Sequence, residues 1–132
     1  DVKLYVENNV FSSTNYETYN GDNIFLLTSS NEYDELKNKI GFNLLLDVAH
    51  LKVSSKTLGL DFEGELKKMI EISDYVHISD NDALHDLNHK LLKDSSLVEL
   101  LSQKNLKNKD FTLEIYDDMI AIKETYKILL SL

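Results

Sequence analysis

The 132-residue chain has no cysteine, no arginine and no proline, and only four glycines. Without cysteine there is neither a disulfide framework nor thiol chemistry, which fits a reducing compartment and leads to the expectation of a cytoplasmic protein. Without arginine the chain lacks the planar fork that grips phosphates and base edges. Its basic residues are all lysines, 14 against 23 acidic residues, for a formal net charge of −9. That balance argues against a broad nucleic-acid surface. It says less about a small substrate, because a bound cation can offset local carboxylates. No apolar run approaches the roughly 18 residues that a membrane span needs, and no signal-peptide pattern opens the chain, so no membrane partner is expected. With proline absent, element boundaries rest on Gly, Asn, Ser and Asp alone.

Apolar residues make up 42% of the chain, enough for a globular domain with a real core. No linker or low-complexity segment divides it, so residues 1–132 are expected to form a single domain. Four short apolar runs have the length and composition of strands: VKLYVE near 2–7, NLLLD at 43–47, DYVHIS at 74–79 and FTLEIY at 111–116. Helical patterns lie between them. NEYDELKNKI spaces Tyr33, Leu36 and Ile40 helically, with acids early, lysines late and Gly41 as the stop. DFEGELKKMIEI puts Phe62, Leu66, Met69 and Ile70 on one stripe behind the cap Asp61. SSLVELLSQ starts at a cap on Ser95 or Ser96, and DDMIAIKETYKILLSL places Met119, Ile122, Tyr126, Leu129 and Leu130 on one side. In the segment from Val10 to Ser30, NIFLL reads either as a short strand or as a helical turn.

The order β-α-β-α-β-α-β-α predicts an α/β fold with a parallel sheet and right-handed crossovers. Four βα units make half of a (β/α)8 TIM barrel, whose full length is about 250 residues. A small open α/β sheet is the alternative. Either way, two sheet edges must be paired or covered.

Sites in parallel α/β folds form at the carboxyl ends of strands. Reading off those ends gives Glu7, Asp47, His77 and Glu114. Taken singly, Glu7 reads as a loop residue, Asp47 as a cap for the next turn, His77 as a satisfied core histidine and Glu114 as an exposed strand position. Taken together, one per strand and in register, they would surround a common centre with three carboxylates and an imidazole. That donor set suits Mn2+ or Mg2+, with Zn2+ or Co2+ also possible. The third strand also opens HISDNDALHDLNH, which holds three of the four histidines.

VENN at 6–9, LLLDVAHLKVS at 44–54, VHISDNDALHD at 76–86 and TLEIY at 112–116 together resemble the xylose isomerase-like TIM-barrel superfamily. Its members include sugar and sugar-phosphate isomerases and epimerases, and apurinic endonucleases of the endonuclease IV type. The resemblance covers essentially the whole chain but only the second, C-terminal half of the family's barrel. It implies that Glu7, Asp47, His77 and Glu114 are the metal ligands, and that Glu7 and Glu114 flank the substrate carbon and move its proton. It implies that His50 of DVAH faces the site as a substrate contact or additional ligand. Asn9, Asp80, Asp86 and His89 are the further candidate substrate contacts. In the endonuclease-like members an Asp and a His separated by one residue in this loop bind another metal. Asp86 and His89 are separated by two, so ligation and a solvated loop both stay open for them.

The function these readings imply is a divalent-metal-dependent sugar or sugar-phosphate isomerase or epimerase. The partners expected are a small carbohydrate or sugar phosphate, and either a missing N-terminal half or a second copy to complete the barrel. The half alone is expected to be inactive. An apurinic endonuclease and a non-catalytic half-barrel assembly module are the alternatives.

Overall fold

A computed structural model describes residues 2–132 of the chain. Its elements run β1 (Tyr5–Glu7), α1 (Ser13–Thr18), α2 (Ser30–Lys37), β2 (Asn43–Asp47), α3 (Val48–Leu58), α4 (Phe62–Ile72), β3 (Tyr75–Ile78), α5 (Ser96–Ser102), β4 (Asp110–Leu113) and α6 (Met119–Leu130). The four strands form one parallel sheet in the order β1-β2-β3-β4. A sequential parallel sheet with helical crossovers is half of a TIM barrel.

The period-2 geometry of strands sorts each one into two faces. Leu44 and Leu46 of β2 and Val76 and Ile78 of β3 point outward and are buried under the helices. There they join Leu51 of α3, Leu66, Met69 and Ile70 of α4, and Leu97 and Leu101 of α5 in one core. The opposite face carries Tyr5, Leu45, Tyr75 and Thr112 lower down, and Glu7, Asp47, His77 and Glu114 towards the carboxyl ends. Tyr5 and Tyr75 meet edge to face with ring centroids 5.6 Å apart, and the Tyr75 hydroxyl lies 3.0 Å from that of Thr112.

Caps set the helix starts. Ser29, Asp47, Asp61, Ser95 and Asp118 each accept a first-turn N–H. Gly59 ends α3 in the left-handed region at φ 69°, which glycine adopts without a Cβ penalty. Glu65 of α4 is buried, but its carboxylate accepts from the Ser30 N–H at 2.6 Å and the Ser30 hydroxyl at 2.9 Å, tying α4 to the start of α2.

Several boundaries differ from the sequence reading. Helix α3 carries no amphipathic stripe to announce it. Val48, Ala49, Leu51, Val53, Ser54 and Ser55 are all buried, and its β-branched and hydroxyl residues have modest helix propensity. Burial against the sheet, not local preference, makes it a helix. Helix α2 stops at Asn38, so Gly41 is not its terminator and Ile40 is exposed. NIFLL is neither strand nor helical turn; α1 precedes it, and Leu27 sits at φ 65°. Strand β4 ends at Leu113, which leaves Glu114 one residue past it.

Helix α6 buries Ala121 and Thr125, while Met119, Tyr126 and Leu130 of its expected stripe are exposed. Periodicity marks the apolar side of a helix but not which part of that side meets a neighbour. Truncating the core residue Leu46 to Ala is expected to cost about 2–5 kcal/mol, and Leu130→Ala well under 1 kcal/mol, both read from urea denaturation. Equal losses would overturn this account of the core.

Candidate metal centre

The carboxyl ends of the strands bring together Glu7, Asp47, His77 and Glu114. One donor atom from each lies within 4.8 Å of all the others, close to the diameter of a shell built on bonds of about 2.1 Å. They are not at one ladder level. Asp47 and His77 are register partners, whereas Glu7 pairs with Leu45 and His77 also pairs with Thr112. The donors therefore climb across the sheet from Glu7 to Glu114, a stagger of the kind that strand tilt produces in barrels.

Asp47 is the pivot. Its N–H donates to Asn8 Oδ1 at 2.6 Å, and Asn8 Nδ2 donates back to its carbonyl at 3.0 Å, so a buried amide clamps β1 to β2. Its Oδ1 caps α3 by accepting the His50 N–H at 2.7 Å. Its Oδ2 is fully buried and has no hydrogen-bond partner. Burial pushes its carboxyl up to about 6, a rise that His50 opposes and that Glu7 and Glu114 reinforce. An orphaned carboxylate oxygen turned towards two more carboxylates and an imidazole is a costly arrangement for the bare protein and a natural one around a cation. The donor set fits a hard or borderline divalent ion.

His77 Nδ1 lies 2.9 Å from Glu114 Oε2, 3.5 Å from Glu7 Oε1 and 3.9 Å from Asp47 Oδ2. The other Glu114 oxygen accepts from the Tyr116 hydroxyl at 2.8 Å. His50 Nδ1 meets the Asn8 carbonyl at 3.0 Å, leaving Nε2 facing Asp86 Oδ1 at 3.4 Å. Burial works to lower the His50 imidazole, but Asp47, the Asn8 carbonyl, Asp86 and Glu7 outweigh it and raise it.

The other candidates are placed differently. Asp80, just past β3, is engaged by Lys52 and by the Asn81 N–H. Its backbone forms a two-bond bridge with His89, at 2.8 and 2.9 Å, that closes the loop between them. His89 Nδ1 is 2.8 Å from Asp117, whose carboxyl is held below its usual range by that contact and by the Lys90 N–H. His85 pairs locally with Asp82. The Asn9 amide oxygen accepts the Val10 N–H within its own loop. His50, Asp86, Leu87, Asn88, His89, Glu114, Tyr116 and Asp117 line a cavity of about 250 Å³ beside the cluster. Asn8, Tyr116 and Asp117 were not read as site residues from the sequence. Asn8 follows a strand end next to Glu7, the only local signal it carries.

The chain is similar to the crystal structure of a D-tagatose 3-epimerase-like protein, with a TM-score of 0.68 and 18% identity. The match covers 98% of this chain and 46% of that one, so the chain spans about half the neighbour's length. At this identity the likeness shows the fold. No family model and no curated protein matches the sequence. Among the described residues, no helix is long and apolar enough to cross a membrane.

The raised Asp47 carboxyl has a thermodynamic sign. With a folded pKa of about 6 against 3.8 unfolded, the native state binds the proton more tightly, so stability falls as pH rises from about 4 to about 6. The cost above that window is up to roughly 3 kcal/mol. Asp47→Asn keeps a capping oxygen and removes the charge. In chelator, its melting temperature is expected to exceed wild type at pH 7.5 and to match it at pH 4. A variant less stable than wild type at pH 7.5 would contradict this electrostatic account.

Proposed function

We propose that this chain supplies the metal centre and one wall of the substrate site of a divalent-metal-dependent sugar or sugar-phosphate isomerase or epimerase, as the C-terminal half of its barrel. The buried, partnerless Asp47 Oδ2 amid Glu7, His77 and Glu114 carries this reading. Those four residues would hold the ion, with Mn2+ or Mg2+ the best matches to three carboxylates and one imidazole. The likeness to a sugar epimerase-like protein supports the same class.

When bound, a divalent ion polarises a substrate carbonyl and offsets the negative charge that develops on its oxygen. The rest falls to side chains. Glu7 ends β1 and Glu114 follows β4, the two outermost strands, so they flank the pair Asp47 and His77. One glutamate removes the proton from the carbon next to the carbonyl; a proton returned by the other to the opposite face of that carbon inverts the centre, and one returned to the carbonyl carbon, with the neighbouring hydroxyl passing its proton to the carbonyl oxygen, moves the carbonyl. Glu114 is held at both oxygens, by His77 and Tyr116, and is therefore oriented before substrate arrives. His50, with Nδ1 directed to the Asn8 carbonyl, offers Nε2 to a substrate hydroxyl. The inner face of the sheet and its two edges call for a further barrel half, from a longer polypeptide or a second copy.

Elemental analysis of the mildly purified protein is expected to find about one divalent ion per chain, lost in the His77→Ala/Asp47→Ala double variant. In the complete enzyme, Glu114→Gln should lower turnover by about 10²-fold or more with folding retained. Normal turnover of that variant would remove the acid–base role. Absence of metal from a folded wild-type protein, even after divalent ions are added back, would refute the site.

A further inference from the structure

Tyr116 stands outside the donor set but touches it. Its hydroxyl donates to Glu114 Oε1 at 2.8 Å, while Glu114 Oε2 faces the His77 imidazole at 2.9 Å. The residue is 77% exposed, so burial does not press the ring into this position. The backbone around it is held independently. The Tyr116 N–H donates to the Asn88 carbonyl at 2.9 Å, and the Glu114 N–H donates to the Ile78 carbonyl at 3.1 Å. Neither bond involves the hydroxyl.

A carboxylate with one oxygen already hydrogen-bonded has one oxygen left for an ion. Asp47 is in the same state: Oδ1 accepts the His50 N–H at 2.7 Å, and Oδ2 has no partner. Two of the three carboxylates are thus held to a single free oxygen by donors that are not part of the cluster. Glu7 Oε1 faces the His77 ring at 3.5 Å. Even with both Glu7 oxygens engaged, the cluster offers at most five donors, four carboxylate oxygens and one ring nitrogen.

Divalent ions differ in what they ask of such a set. Mg2+ takes six ligands at about 2.0–2.1 Å and readily keeps water among them, whereas Ca2+ takes about 6–8 oxygens and gains from carboxylates that chelate it through both. For Glu114 to chelate, its bond to the Tyr116 hydroxyl must break. A hydrogen bond to a charged group is worth about tenfold or more in an equilibrium constant. A monodentate Glu114 leaves that bond intact.

We propose that Tyr116 is a metal-selecting residue: its hydroxyl holds Glu114 to one free oxygen and so weights the centre towards small six-coordinate ions, Mg2+ or Mn2+, against Ca2+. This rests on the metal site proposed above and assigns its ion preference to a residue that is not a ligand. The Asp47 oxygen is locked by a backbone N–H, which no side-chain substitution removes, so Tyr116 is the lock that can be taken away.

The test titrates the native polypeptide with Mn2+, Mg2+ and Ca2+. Free Mn2+ is read from its electron paramagnetic resonance signal, and Mg2+ and Ca2+ from their displacement of the bound Mn2+. In Tyr116→Phe the dissociation constant for Ca2+ is expected to fall about tenfold relative to that for Mg2+, with Mn2+ stoichiometry unchanged. Tyr116→Leu, which also lacks the hydroxyl, should move the ratio the same way. A merely structural role would weaken both ions together. An unchanged ratio, or a loss shared equally by Mg2+ and Ca2+, overturns the role of Tyr116 and leaves the metal site standing. Failure of the wild type to take up Mn2+ overturns both.

Discussion

The Asp47 carboxylate at the junction of β2 and α3 is the constraint around which the carboxyl end of the sheet is arranged. One of its oxygens starts α3 and the other is left unpaired in the interior. Under the proposed metal site the same residue would have a structural and a chemical duty, separable only by oxygen atom. Its backbone is held by Asn8 from the neighbouring strand, which sets the position of Glu7 one residue earlier. Through the α3 cap it also sets His50, whose ring is then steadied by the Asn8 carbonyl. A burial that weakens the bare fold at neutral pH is the burial that makes the oxygen a good donor to a cation.

The remaining donors reach the same point by different supports. His77 projects from the buried strand β3, which the core residues Val76 and Ile78 hold in place. Glu114 lies just beyond β4 and is oriented by His77 and Tyr116 rather than by strand pairing. Glu7 ends the shortest strand and its side chain is the most exposed of the four, so it has the least support from within this half. The loop from Asp80 to His89 is pinned at its ends by the Asp80–His89 bridge and the His89–Asp117 pair, and near its start by an Asn81 amide donating to the Ala49 carbonyl. Its polar side chains thereby become a wall of the cavity.

The sequence carried the strands and most crossover helices because their physics is local. NLLLD is β2 from first residue to last, and DFEGELKKMIEI matches α4 to within its cap. Helix α3 was illegible for the opposite reason: a helix buried on most of its circumference has no polar face to create a period. The stripe expected on α6 was real as composition and misplaced as packing, because Met119, Tyr126 and Leu130 stay exposed past β4. The four strand-end residues stood out because ionisable groups in short apolar runs are costly without a partner. The stagger that converges them was invisible, since register belongs to pairs of strands and not to one.

By itself, then, the sequence determined the class of fold, the parallel order of its units and the identity of the four ionisable residues at or near the strand ends. Each of these follows from chemistry within a few residues along the chain. Only the tertiary structure decided that the four meet within 4.8 Å, that Asn8 and not Asn9 braces them, and that Asp86, Tyr116 and Asp117 share a cavity with Glu114. Those are relations between side chains that strand register, burial and loop closure bring together. No local propensity encodes the distance between two side chains that the chain brings together only when the whole sheet forms.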